Sequence, residues 1–248
     1  MKNKIIEKAI KDYKDKTNPN NVVKKLFELK ELSSDKLDLT DEISSFKEKT
    51  EKNIIKYADC VSINPTITIQ TNKDSDGSTD NDSVLHLKAV INSCNYLDSH
   101  GDVHLPGCWD EDLKSNNTRK LLKEHKREFE SVISDDMKAS VQEIEELGGV
   151  QCLVFEGNIH KEDNPLMFSK YKQKKVNQHS VGMRYLKTLF CVNSDEPEYS
   201  QYKENWDKYS SSVKNLKKDT KYFTAVLKCS CIEGSAVLFG SNQYTPVL

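Results

Sequence analysis

The stretch Ser140-Val141-Gln142-Glu143-Ile144-Glu145, then Gly148-Gly149, then Val150-Gln151-Cys152-Leu153-Val154-Phe155 decides the fold class. Val141 and Ile144 are the apolar residues of the first segment, and β-formers dominate after the glycine pair. Two adjacent glycines can turn the chain back through backbone conformations that other residues resist. The segment therefore reads as an antiparallel hairpin. Working outward, Val84-Leu85-His86-Leu87-Lys88-Ala89-Val90-Ile91 reads as a strand, and so do 180–186 and 222–231, the last with Phe223, Ala225 and Leu227 at alternate positions. Asn164-Pro165 opens a short helix over Leu166, Met167, Phe168 and Tyr171. The expected class is α+β and β-rich: a small, mostly antiparallel barrel surrounded by helices.

The N-terminal part differs. Ile5, Ile6, Ala9, Ile10 and Tyr13 recur at helical spacing, as do Val22, Val23, Leu26, Phe27, Leu29 and Leu32. Residues 1–69 read as a helical extension whose apolar stripes must bury on the main body, a second copy of the chain or a partner protein. Residues 70–83 carry no apolar side chain and read as a linker or loop. Residues 84–248 form the main domain, with a polar, partly helical insertion near 191–218.

Composition narrows the function. The 248 residues carry a formal net charge of −2, so no basic field favours a nucleic-acid backbone. No apolar run is long enough to span a bilayer. The first residues lack the apolar stretch of a secretory signal. Seven irregularly spaced cysteines argue against a disulfide framework and for a reducing setting. Cys229 and Cys231 stand alone as a Cys-x-Cys pair, which alternate burial on a strand explains more simply than zinc.

The candidate chemistry lies in His125 and Ser180. A serine hydroxyl needs a base to take its proton, and neutral imidazole is suited to that task near neutral pH. Ser180 sits in Gln178-His179-Ser180-Val181-Gly182, not in the Gly-x-Ser-x-Gly string of a nucleophile elbow. His179, its neighbour, points to the opposite face of a strand. A third group is needed to orient the imidazole. Glu233, a carboxylate within the apolar string Cys231-Ile232-Glu233-Gly234-Ser235-Ala236-Val237, requires a partner if buried. A competing metal reading uses Asp98, His100, Asp102 and His104 together with His125, but Gly101 and Pro106-Gly107 argue for an Asp-stabilised turn there.

Four segments occur in order: 98–109, with Gly101-Asp102 and Pro106-Gly107-Cys108-Trp109; Leu121-Leu122-Lys123-Glu124-His125; His179-Ser180-Val181-Gly182-Met183; and Glu233-Gly234-Ser235-Ala236-Val237. Over about 84–240 this order resembles the tailed-phage prohead (capsid maturation) proteases, which are similar in fold to herpesvirus assemblin. The resemblance implies a serine endopeptidase with Ser180 as nucleophile, His125 as general base and Glu233 as third member. It implies backbone amides as oxyanion donors and no cofactor. The implied partners are scaffold and major capsid proteins as substrates, and the implied location is the procapsid in the host cytoplasm. The insertion near 191–218 lengthens the path from Ser180 to Glu233 beyond the family pattern. A protease fold kept without activity in a structural protein of the head, and a metal-dependent hydrolase, are the alternatives.

Overall fold

The computed structural model describes residues 54–56 and 83–248. The amphipathic stripes expected before residue 54 and the linker expected at 70–82 lie outside the described residues. Within the stretch expected to be helical, Ile54–Lys56 instead forms a short strand, β1.

The remaining elements are β2 (Val84–Ser93), β3 (Asp102–His104), α1 (Asp110–Ser115), β4 (Thr118–Lys123), β5 (Val132–Ile144) and β6 (Val150–His160). They continue with α2 (Pro165–Lys172), β7 (His179–Val192), α3 (Ser200–Tyr209) and β8 (Tyr222–Ala236). The strands form one sheet in the order β1-β7-β8-β4-β5-β6-β2, with β3 also paired to β8. The protein is mixed α/β and strand-rich, and its sheet curls into a half-barrel. Most neighbours are antiparallel, but β3 and β4 both run parallel to β8.

The β5–β6 hairpin forms around the glycine pair, in register from Ile144↔Val150 to Ala139↔Phe155. Gly148 and Gly149 hold φ of +78° and +64°, a region open to glycine and strained for other residues. Both faces of β6 are buried. Leu153 and Phe155 join the main core with Ile91, Leu121 and Ile133, while Cys152 and Val154 join a second cluster with Val90, Ile144 and Leu147. The chain's end covers the free edge of β2: Val90 N–H donates to Pro246 O at 2.8 Å, and Leu248 N–H to Lys88 O at 2.8 Å. Capping an edge in this way prevents its pairing with another strand.

Asn164 caps α2 by accepting from Met167 N at 3.1 Å, with Pro165 in the first helical turn. The insertion contains α3, whose Trp206 packs on Phe223 at 5.3 Å between ring centroids. Tyr202 meets Phe190 edge-on at 5.7 Å. This helix therefore covers the end of the β7–β8 hairpin remote from Ser180, and the extra chain length is spent away from the candidate site. Among the described residues no helix is long and apolar enough to cross a membrane.

Candidate active site

The β7–β8 pair places three of the four residues that matter. Ser180 lies opposite Ser235, and Gly182 opposite Glu233. Directly paired residues share a face of an antiparallel sheet, and alternate residues along a strand do so too. Ser180, Gly182, Glu233 and Ser235 therefore occupy one face, with Val181 and Met183 turned into the main core on the other. Between Cys231, paired with Met183, and Glu233, paired with Gly182, Ile232 has no partner. This bulge resets the alternation of β8 just before Glu233.

Glu233 is 2% exposed. A carboxylate so buried needs hydrogen bonds to offset its lost hydration. Two are present. Ser235 Oγ donates to Oε2 at 2.7 Å, and His125 Nδ1 lies 2.8 Å from Oε1. Gly182 provides the space: a Cβ there would overlap Oε1 and stand 2.8 Å from Cδ. The glycine is thus required by the carboxylate it faces.

His125 reaches this face from the end of β4. That strand runs beside β8 in the register Leu121↔Gly234, Leu122↔Ser235. The chain then turns sharply through Glu124 and His125, both left-handed at φ of +53° and +55°. Two consecutive non-glycine residues in this region are costly, and such strain persists only where surrounding contacts hold it. Those contacts are Glu124 N–H to Ala236 O at 2.9 Å, His125 N–H to Ser235 Oγ at 3.1 Å, and Leu238 N–H to Glu124 Oε1 at 2.9 Å. The turn brings the imidazole back over β8, where its side chain is only 11% exposed. With Nδ1–H donated to the carboxylate, a neutral ring carries its lone pair on Nε2. Glu233 also stabilises the ring once it gains a proton.

His125 and Glu233 are thus brought together. Ser180 is placed on the same face, on the adjoining strand, and is 4% exposed. No hydrogen bond joins its hydroxyl to His125 Nε2 among the described residues. An open groove of about 480 Å³ runs beside the pair, bounded by Leu122, Phe129, Val132, Ile232 and Glu233. Phe129 stands 94% exposed at its rim.

The other candidates have separate roles. His179 faces away from Ser180, as expected. Its Nδ1 donates to Thr245 O at 3.2 Å, so Nε2 accepts from Tyr171 Oη at 2.9 Å. Burial lowers its pKa to about 4 and pushes the Tyr171 hydroxyl up. Asp98 Oδ1 accepts from His100 N and Asp102 N at 2.8 and 2.9 Å, closing the expected Asp-stabilised turn. The turn is shorter than expected, since Asp102–His104 is already strand. Asp102 Oδ2 accepts from Tyr185 Oη at 2.7 Å. His104 stacks on Trp109 at 5.7 Å and approaches Met183 Sδ at 3.2 Å. Among the described residues, no group of three or more His, Cys, Asp or Glu could hold a metal ion. Cys229 and Cys231 are buried on alternate positions of β8, and burial raises both thiols, Cys231 to about 12.

Ser235 was visible only as part of a motif, without a role. Its spacing of two from Glu233 on a strand was the available signal, since it places both side chains on one face. The turn at Glu124-His125 gave none, because neither residue type announces a left-handed backbone. Comparison of the chain with protein-family models, curated proteins and solved structures finds no match to any of them.

Proposed function

We propose that this chain is a serine hydrolase of the Ser-His-Glu class. Within that class we read it as a prohead protease: a serine endopeptidase of the tailed-phage procapsid that cleaves scaffold and capsid proteins. The observation that carries the class is the buried His125 Nδ1–Glu233 Oε1 contact of 2.8 Å, with Ser180 on the adjoining strand and the same face. The order of motifs over 84–240 supports the narrower reading, as does a curled, strand-rich sheet, which accords with the small barrel of that family.

In this mechanism Ser180 Oγ attacks the peptide carbonyl while His125 Nε2 takes its proton. The imidazolium, held by Glu233, returns that proton to the leaving amine. Water then repeats the sequence on the acyl-enzyme, and the serine is released. The step from ground state to attack requires Ser180 and Nε2 to close into hydrogen-bond reach, a tightening common when substrate binds. The groove beside Leu122 and Ile232 reaches Glu233, whereas Ser180 lines a separate small cavity with Asp98, His104 and Asn242.

The second reading is a protease fold retained without activity in a structural protein of the head, in which the His125–Glu233 contact serves packing alone. A fluorophosphonate separates the two. The first reading expects phosphonylation of Ser180, blocked in Ser180→Ala, and loss of scaffold cleavage by that variant with its thermal midpoint unchanged. Wild-type protein that is not labelled and cuts no scaffold sinks it.

A further inference from the structure

Ser235 is fully buried, and its hydroxyl is used twice. It donates to Glu233 Oε2 at 2.7 Å and accepts from His125 N–H at 3.1 Å. These two bonds tie the acidic member of the pair to the backbone of the basic member. The second falls within the left-handed turn, at the residue whose φ is +55°. Nothing in a Glu-His pair requires a third side chain to hold both partners, and a main-chain amide at this position would ordinarily be met by water or a carbonyl.

We propose that Ser235 is a positioning residue for the His125–Glu233 pair. It fixes the carboxylate so that Oε1 faces Nδ1, and it pins the strained turn that aims the ring. A hydroxyl is suited to this double task because it offers one donor and two acceptor sites on a single atom. Donation to Oε2 also leaves Oε1 as the oxygen available to the imidazole. The residue acts through its two neighbours and touches no substrate. Its assignment to catalysis rests on the reading of the chain as a Ser-His-Glu hydrolase, whereas its hold on the pair can be tested without any activity.

The test compares wild type with Ser235→Ala, Ser235→Cys and Ser235→Thr. The first readout is the low-field proton resonance of the His125 ring Nδ1–H, assigned by its loss in Glu233→Gln. The proposal expects it to broaden or vanish in the Ala and Cys variants and to return in Thr, which restores the hydroxyl. Cysteine nearly keeps the volume of serine, so its failure separates a lost hydrogen bond from a cavity. An Nδ1–H signal unchanged in both Ala and Cys overturns the proposal, whatever happens to activity. The second readout is cleavage of a scaffold-derived peptide. The proposal expects kcat to fall about tenfold to a hundredfold with KM unchanged, the loss expected for one hydrogen bond to a charged group. A rise in KM with kcat retained also overturns it. A wild-type protein that cleaves nothing defeats the reading of the chain as a protease but leaves the resonance test able to decide the role of Ser235.

Discussion

His125 and His179 lie on opposite faces of the same β7–β8 pair, and their surroundings could hardly differ more. His179 is fully buried among neutral partners, a tyrosine hydroxyl and a backbone carbonyl. Burial disfavours the charged ring by more than the Thr245 carbonyl favours it, and lowers its pKa to about 4. His125 has a carboxylate at 2.8 Å and keeps its side chain partly open to solvent. The sheet thus separates a histidine held among neutral core groups from one held against a carboxylate, although Ser180 is the direct chain neighbour of the first and not of the second.

The largest expected effect comes from erasing this difference on the His125 side. Glu233→Gln keeps the shape and removes the charge, and an amide can present its NH₂ to Nδ1 and so favour the wrong tautomer. By analogy with the corresponding carboxylate-to-amide change in serine proteases, kcat should fall about 10⁴-fold. Peptide cleavage at saturating substrate measures it, and a loss below tenfold would remove Glu233 from the mechanism.

The His179 side should respond to pH through stability. Its pKa of about 4 in the folded chain lies below the value of about 6.5 expected when unfolded. A histidine whose folded pKa is depressed contributes stability fully above the unfolded value. That contribution is lost as pH falls from about 6.5 towards 4, because the unfolded chain then takes up the proton first. The loss across this window is about 3 kcal/mol. Urea denaturation at pH 7 and pH 4.5 should show it, and His179→Gln should start less stable at pH 7 and lose less between the two. An equal loss in the variant would assign the acid sensitivity elsewhere.

Much of this arrangement was legible in the residues. Alternation found β2, β7 and β8, a run of β-formers found β6, the glycine pair found the β5–β6 turn, and Asn164-Pro165 found α2. A buried Glu233 in apolar surroundings implied a partner, and period-two logic put His179 on the face away from Ser180. What remained hidden depends on contacts between strands distant in sequence. The parallel docking of β4 beside β8, which delivers His125, follows from tertiary packing and leaves no local mark. The bulge at Ile232 is set by register with β7, and the strained turn at Glu124-His125 by three hydrogen bonds to β8 and its continuation. Residues 1–53 hold clear helical stripes, but a stripe names a face to be buried and not what buries it.

Two glycines at neighbouring rungs of the β7–β8 pair allow the contrast between the faces to be tested. A Cβ on Gly182 would overlap the Glu233 carboxylate, whereas a Cβ on Gly234 would stand 2.7 Å from Phe155 Cε2 in the main core. Neither has the positive φ that would strain another residue, so Gly→Ala at each is a test of space alone. Both variants should be overpacked and lose about 1–3 kcal/mol in urea denaturation. Only Gly182→Ala should also displace Oε1 from Nδ1. At a pH and temperature where both remain folded, it should lose cleavage while Gly234→Ala retains most of it. Equal losses of kcat in the two would mean that core packing, and not the placement of the carboxylate, limits the reaction. The two faces would then be one cooperative unit, and the contrast between the two histidines would carry no catalytic meaning.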